Sequence, residues 1–235
     1  MQSRGRCKGR WTKIWRRDTK MQLQSHDTLD STVYMKLKEM ILNKQLQPGE
    51  LLVQNQLSQT MGVSRTPLRK ALGQLEMEGL LEASPKGWYV KEFGAGEMIS
   101  VFRIRAVLEG LACRLAADRL EAPDLAYMQS MFEHAYEQVN EHQAEAYYKA
   151  DVKFHAMIVD AAADPILKKT ITTNQIIATS QIQGLYRDPR ETLGEHLDII
   201  AALRERDGAK AEQLMRSHIE RAIPILRDDN FKVYK

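Results

Sequence analysis

Between Ser64 and Gly79 the chain carries the start and stop signals of one helix and divides its two faces sharply. Ser64 stands where an N-cap belongs, its hydroxyl suited to accept from the free N–H groups of the first turn. Pro67 falls in that turn, where its missing N–H costs nothing, and Gly79 suits the left-handed residue just past a helix end. At about 100° per residue, Leu68, Ala71, Leu72 and Leu75 share one arc. Thr66, Arg69, Lys70 and Gln74 fall opposite, with Arg65 at the boundary. One face packs and the other is cationic and hydrogen-bonding. Such a helix fits the DNA major groove, its first turns reading base edges and phosphates. Taken alone, a solvated amphipathic helix with surface arginines reads the same way.

The flanking segments decide between the two. Thr32–Asn43 repeats Val33, Leu37, Met40 and Ile41 at helical spacing. Gln47-Pro48-Gly49-Glu50 is a turn, and Gln54–Met61 is a short helix closed by Gly62. Leu80–Ala83, Ser84-Pro85-Lys86-Gly87 and Trp88–Lys91 read as strand, turn and strand. Helix, short helix, basic-faced helix and hairpin make a winged helix-turn-helix over residues 26–91. Lys86 and Gly87 at the wing tip suit close approach to a phosphate backbone.

After a linker at 92–97, strand signals vanish. Met98–Leu120, Asp124–Asn140, Gln143–Ala162, Pro165–Gln183, Arg190–Arg206 and Gly208–Leu226 all carry helical spacing, broken at Ala122-Pro123, Asp164-Pro165, Asp188-Pro189 and Asp207-Gly208. The expected fold is mainly α: the winged domain, then an antiparallel all-α bundle over 98–230. In its first helix Ile104, Val107, Leu108, Leu111 and Leu115 form the expected core stripe.

Charge is unevenly placed. Residues 1–20 hold eight lysines and arginines against one acid, Asp18, or +7; the whole chain is +3, so the remainder is −4. Residues 1–25 read as a basic, disordered arm adding non-specific DNA affinity, as a tail without a role, or as the product of a start site upstream of Met21. No apolar run approaches a membrane span, and no apolar core of a secretory signal follows the basic start. Cys7 and Cys113 form neither a disulfide framework nor a zinc-ribbon spacing, so the expectation is a cytoplasmic protein with no membrane partner.

The bundle carries one constellation. Asp151 and His155 are four apart, one above the other on a helix face. His196 lies midway in the fifth bundle helix and His218 in the last. One Asp and three His from three helices are able to converge on a divalent ion, with zinc first and nickel or manganese as alternatives. A single helical histidine is more often a surface or satisfied core residue, and His26, His134 and His142 are assigned so.

Two sets of residues carry a resemblance. Leu46-Gln47-Pro48-Gly49, Val63-Ser64-Arg65-Thr66-Pro67-Leu68-Arg69, Ala71-Leu72, Leu75 and Glu78-Gly79-Leu80 resemble the GntR family of bacterial transcription regulators. Phe102–Glu109, Asp151-x3-His155, Glu195-His196-x6-Ala202-Leu203 and Met215-x2-His218-Ile219 are similar to the FCD effector domain of its FadR branch. The resemblance implies DNA contacts from Ser64, Arg65, Thr66 and Arg69, with Lys70 adding charge where the family often has Glu. It implies metal ligands Asp151, His155, His196 and His218, a small carboxylate effector at the ion, and Arg105 beside that acid. Asn55 stands where many members place an arginine. Arg105 also has a plain partner in Glu109 one turn on, a pair worth a few tenths of a kcal/mol on an exposed helix.

The expected function is thus a homodimeric repressor on a palindromic double-stranded DNA operator, not an enzyme. A constitutive DNA-binding protein with a structural ion, and a metal-dependent hydrolase, are the alternatives. For hydrolysis the only candidate base beyond the ligands is Glu195, which points about 100° away from His196 on a helix.

Overall fold

The computed structural model describes residues 26–42, 45–139, 144–173 and 185–228. The expectations for the N-terminal arm, His142 and the second half of Pro165–Gln183 lie outside them. The chain divides into two compact units, one ending at Glu92 and one beginning at Phe93.

The first unit runs α1 (His26–Leu42), β1 (Leu51–Leu52), α2 (Gln54–Met61), α3 (Arg65–Met77), β2 (Leu81–Ser84) and β3 (Gly87–Val90). Val33, Leu37, Met40 and Ile41 of α1 are buried, as are Leu68, Ala71, Leu72 and Leu75 of α3. Full burial of each large aliphatic residue contributes roughly 1.5–3 kcal/mol. The wing has one strand more than the expected hairpin: the sheet order is β1-β3-β2, all antiparallel, with Leu51 opposite Tyr89 and Leu52 opposite Trp88. Two residues between a turn and a helix show no alternation, so periodicity could not reveal β1.

Glycines mark two constrained points in this unit. Gly79 sits at φ +73° just past α3, as its position suggested. Gly87 sits at φ +143°, and a Cβ there would lie 2.5 Å from the Leu52 carbonyl oxygen. Its absent side chain is therefore explained by the approach of β1, inside the wing.

The second unit contains α4 (Ala95–Ala116), α5 (Ala122–Glu137), α6 (Glu145–Ala161), α7 (Pro165–Thr173), α8 (Pro189–Arg204) and α9 (Gly208–Glu220), then a 3₁₀ turn, Ile225–Arg227. Helix α4 begins at Ala95, three residues before the expected Met98, because Glu97 accepts from the Gly94 backbone N–H at 3.2 Å and caps it. The aspartate breaks act as caps: Asp164 accepts from Ile166 and Leu167, Asp188 from Arg190, and Asp207 from Lys210. Helix α9 lies tightly on α4. A Cβ at Gly208 would meet the Arg114 carbonyl oxygen at 2.9 Å, and one at Gly110 would meet Arg216 Cγ at 2.6 Å.

The expected core stripe of α4 is overturned. Ile104, Val107 and Leu111 are 48%, 50% and 39% exposed, and Leu108 and Leu115 are only partly buried. The buried face instead carries Phe102, Arg105, Ala106, Glu109, Ala112, Cys113 and Ala116. Small and charged residues take the inward side because the bundle interior at this level is polar.

Candidate metal centre and DNA-facing helix

Helix α6 buries Tyr147, Asp151, Phe154, His155 and Ile158, a stripe at spacings of three and four that turns Asp151 and His155 into the bundle. Helices α8 and α9 bury His196 and His218 by the same rule. The four sequence-predicted ligands meet: one ligand atom from each lies within 4.8 Å of the others, and all four residues are buried. Asp151 Oδ1 is 3.3 Å from His196 Nε2 and 3.7 Å from His155 Nε2.

Each histidine is held at its other nitrogen. His218 Nδ1 is 2.8 Å from Glu195 Oε2, and His196 Nδ1 is 3.0 Å from the Tyr147 hydroxyl, itself 3.0 Å from Thr192 Oγ1. His155 Nδ1 is 2.5 Å from Glu109 Oε2, a charge contact off the direction of an aligned hydrogen bond. This leaves Nε2 of all three for the centre. Phe132 of α5 stacks on the His196 ring at 4.1 Å and walls the site. His196 Nε2 is buried without a hydrogen-bond partner among the described residues. An orphaned imidazole nitrogen beside a carboxylate fits a divalent cation, which that nitrogen would ligate.

The charges agree with that chemistry. Burial opposes ionisation of Asp151, but His155 and His196 hold its carboxyl well below the usual range. Burial lowers His196 to about 3, and burial also lowers His218, so both are neutral. Burial likewise disfavours charge on His155, but Glu109 and Asp151 outweigh it and raise that group to about 9. Glu109, buried between Arg105 and His155, is pulled down to about 2.

A small cavity of about 60 Å³ opens against the cluster, lined in part by Phe102, Arg105, Asp151, His155, Arg187 and His218. Arg105 lines it, and it is also paired with Glu109, Nε to Oε1 at 2.6 Å, the plain partner that the spacing offered. Sequence reasoning missed Arg187, Tyr147 and the role of Glu195. Glu195 is no free base: Arg187 donates to Oε2 at 2.6 Å, and Arg221 pairs with Oε1. Only the Arg105–Glu109 pair left a spacing signal.

In the first unit, Arg65, Thr66, Arg69 and Lys70 lie exposed along α3, with Ser64 exposed ahead of it. Ser64 occupies the N-cap position but its side chain makes no capping bond; the hydroxyl is left facing out. Lys70 is partnered, its Nζ 2.7 Å from Asp30 on α1. The far end of α3 is tied down by Tyr34 donating to Glu78 at 2.5 Å and Trp88 donating to Glu76 at 2.9 Å. Lys86 is exposed at the wing tip. His134 is exposed beside Glu137, as expected of a surface histidine.

Comparison with known proteins follows this division. Residues 29–90 match the model of "Bacterial regulatory proteins, gntR family", and residues 100–221 match that of the FCD domain. The chain belongs to the GntR family. It is 30% identical over 190 residues to the HTH-type transcriptional regulator YdhC of Bacillus subtilis, spanning 79% of this chain and 85% of that one. It is 25% identical over 204 residues to the repressor RspR of Escherichia coli, spanning 85% and 89%. The solved structure of E. coli McbR/YncC superposes with a TM-score of 0.72 at 27% identity, over 87% of this chain and 98% of that one. A GntR-family chain with an FCD domain is a DNA-binding transcriptional regulator, and its relatives are regulators rather than enzymes. Both candidate sites fall within the matched ranges.

Proposed function

We propose that this regulator is a homodimeric repressor, acting on a palindromic operator in the cytoplasm, that senses a small organic acid at a divalent metal ion. Asp151, His155, His196 and His218 hold the ion, zinc first, with nickel or manganese as alternatives. One observation carries the reading: three imidazole Nε2 atoms and a carboxylate face one buried point beside a cavity lined by Arg105 and Arg187. When bound, the ion supplies a Lewis-acid position for a carboxylate oxygen. Arg105 and Arg187 orient the acid by charge-assisted hydrogen bonds, and Phe102 covers it from water. The cavity volume favours an acid of few atoms.

On the DNA side, Ser64, Arg65, Thr66 and Arg69 contact bases and phosphates, and Lys86 follows the backbone from the wing. Lys70, held by Asp30, reinforces the phosphate field without reading sequence. Gly87 serves the wing itself. The exposed stripe Ile104, Val107 and Leu111 supports dimerisation through α4, since an apolar helix face in water calls for a partner. The name of RspR supports a repressor. Acid binding favours one bundle arrangement, and DNA affinity shifts by the difference in binding energy, typically ~1–3 kcal/mol.

A thermal-shift screen against small organic acids, with zinc and with a chelator, tests this reading. A stabilising acid whose effect vanishes under chelator is the expected result. Zinc binding with no response to any acid would replace the sensor by a constitutive regulator with a structural ion.

A further inference from the structure

Two carboxylates around the centre are built alike. Glu109 on α4 has one oxygen on a cavity arginine and the other on a histidine: Oε1 to Arg105 Nε at 2.6 Å, and Oε2 to His155 Nδ1 at 2.5 Å. Glu195 on α8 receives Arg187 at 2.6 Å and faces His218 Nδ1 at 2.8 Å, with Arg221 on its other oxygen. In each case one glutamate joins an arginine that lines the cavity to a histidine that faces the centre. The third histidine, His196, has the neutral Tyr147 hydroxyl instead.

From this repeated arginine–glutamate–histidine bridge we infer that Glu109 and Glu195 are positioning residues that couple metal occupancy to the two guanidinium groups of the acid pocket. The inference rests on the metal-sensor reading above. A carboxylate hydrogen-bonded to Nδ1, as Glu195 is to His218, fixes the imidazole tautomer with Nε2 free, and a carboxylate in charge contact with the ring, as Glu109 is with His155, raises its basicity as a ligand. The same carboxylate clamps a guanidinium in a single planar geometry. A group that leans on one arm alters the other, because the glutamate has only two oxygens to share. Arg105 and Arg187 approach from α4 and from the segment before α8, so the cavity offers two separately anchored cations. Metal and acid then bind cooperatively, each preparing the site for the other, and reciprocity follows from linkage.

The test uses the full chain stripped of metal, with cobalt(II) alone as the first probe and acetate as the second. Cobalt affinity is taken from visible absorption in competition with a chelating dye, and acetate affinity from changes in the d–d bands of the cobalt-loaded chain. The variants E109Q, E195Q, R187Q and Y147F keep all four ligands. E109Q and E195Q are expected to take up cobalt with roughly 10–100-fold weaker affinity and also to weaken acetate. Y147F is expected to weaken cobalt less than either, and R187Q to weaken acetate and to shift cobalt affinity as well, by less than E195Q does. Glu195 is less buried than Glu109, so E195Q carries the test if E109Q does not fold. A wild-type chain that binds no cobalt overturns the metal reading and this inference with it. If wild type binds cobalt and E195Q matches it, the inference alone falls. Weaker cobalt with unchanged acetate in E195Q, or no acetate binding by the cobalt-loaded wild type, overturns the bridge.

Discussion

Glu195 immediately precedes His196 on α8, yet its carboxylate lies 2.8 Å from Nδ1 of His218 on the neighbouring helix. Successive helical residues diverge by about 100°, so the side chain that looks adjacent to one histidine serves another. The contact, with Arg187 and Arg221 on the same carboxylate, removes the one residue that suggested hydrolysis.

Loss of one ligand should abolish the ion. His196→Ala and His218→Ala are expected to purify without metal, as read by elemental analysis. Zinc at about 100 times its dissociation constant should stabilise the wild type by about 2.7 kcal/mol and these variants not at all. Stoichiometric zinc in either variant would remove the assignment.

Metal uptake should release a proton. Glu109 and Asp151 raise His155 from 6.5 to about 9 in the metal-free chain, against the effect of burial, whereas His196 and His218 are lowered. The charged His155 stabilises the apo fold fully below its unfolded value near 6.5, and that contribution fades as pH rises through about 9. An ion competes for the same lone pair. At pH 7.5 calorimetry in buffers of different ionisation enthalpy should therefore show about one proton released per metal, with affinity climbing toward pH 9. Buffer-independent heats would contradict this assignment.

The two neighbouring cations on α3 should behave differently. Arg69 is exposed and forms no ion pair among the described residues, while Lys70 is held 2.7 Å from Asp30. Arg69→Ala should cost roughly 1–3 kcal/mol of operator binding and relax base preference. Lys70→Ala should weaken operator and random DNA alike and flatten the salt dependence. Equal losses on both DNAs for Arg69→Ala would show that it touches phosphate only.

Gly73 lies one turn beyond Arg69 in the interior of α3, and a Cβ there would meet nothing within 4 Å. Its cost to the helix has no return in packing among the described residues, so Gly73→Ala should stabilise the fold by about 1 kcal/mol, measured by urea unfolding. A destabilised variant would mean that the helix is strained at that turn.

The α4 stripe gives a fifth kind of test. Val107→Glu places a charge amid Ile104 and Leu111 on the exposed face and should shift the proposed dimer to monomer by light scattering, with helix content unchanged. A dimer that survives the change would move the interface elsewhere.

The parts of this molecule that obey a period were legible beforehand. Leu68, Ala71, Leu72 and Leu75 describe their burial by spacing alone, and Asp151-x3-His155 announces a shared helix face. The failure on α4 has the same root. Apolar periodicity finds the apolar face, and on α4 that face is outside because Arg105 and Glu109 occupy the inside. Tertiary pairings such as Glu195 with His218, or Tyr147 with His196, leave no trace in spacing, since the partners lie 23 and 49 residues apart. Strand β1 was hidden by its two-residue length.

Gly208 shows where this chain is free to change and where it is not. Any mutation of a glycine codon that alters the residue adds at least a methyl group, and here that group would strike the Arg114 main chain, which has no rotamer to yield. Drift at this one point of the α4–α9 seam is thus closed at its first step. On the proposed sensor reading, a change of preferred acid is open to cavity residues such as Arg187 and Thr192, while Gly208 at the start of the helix that carries His218 stays fixed.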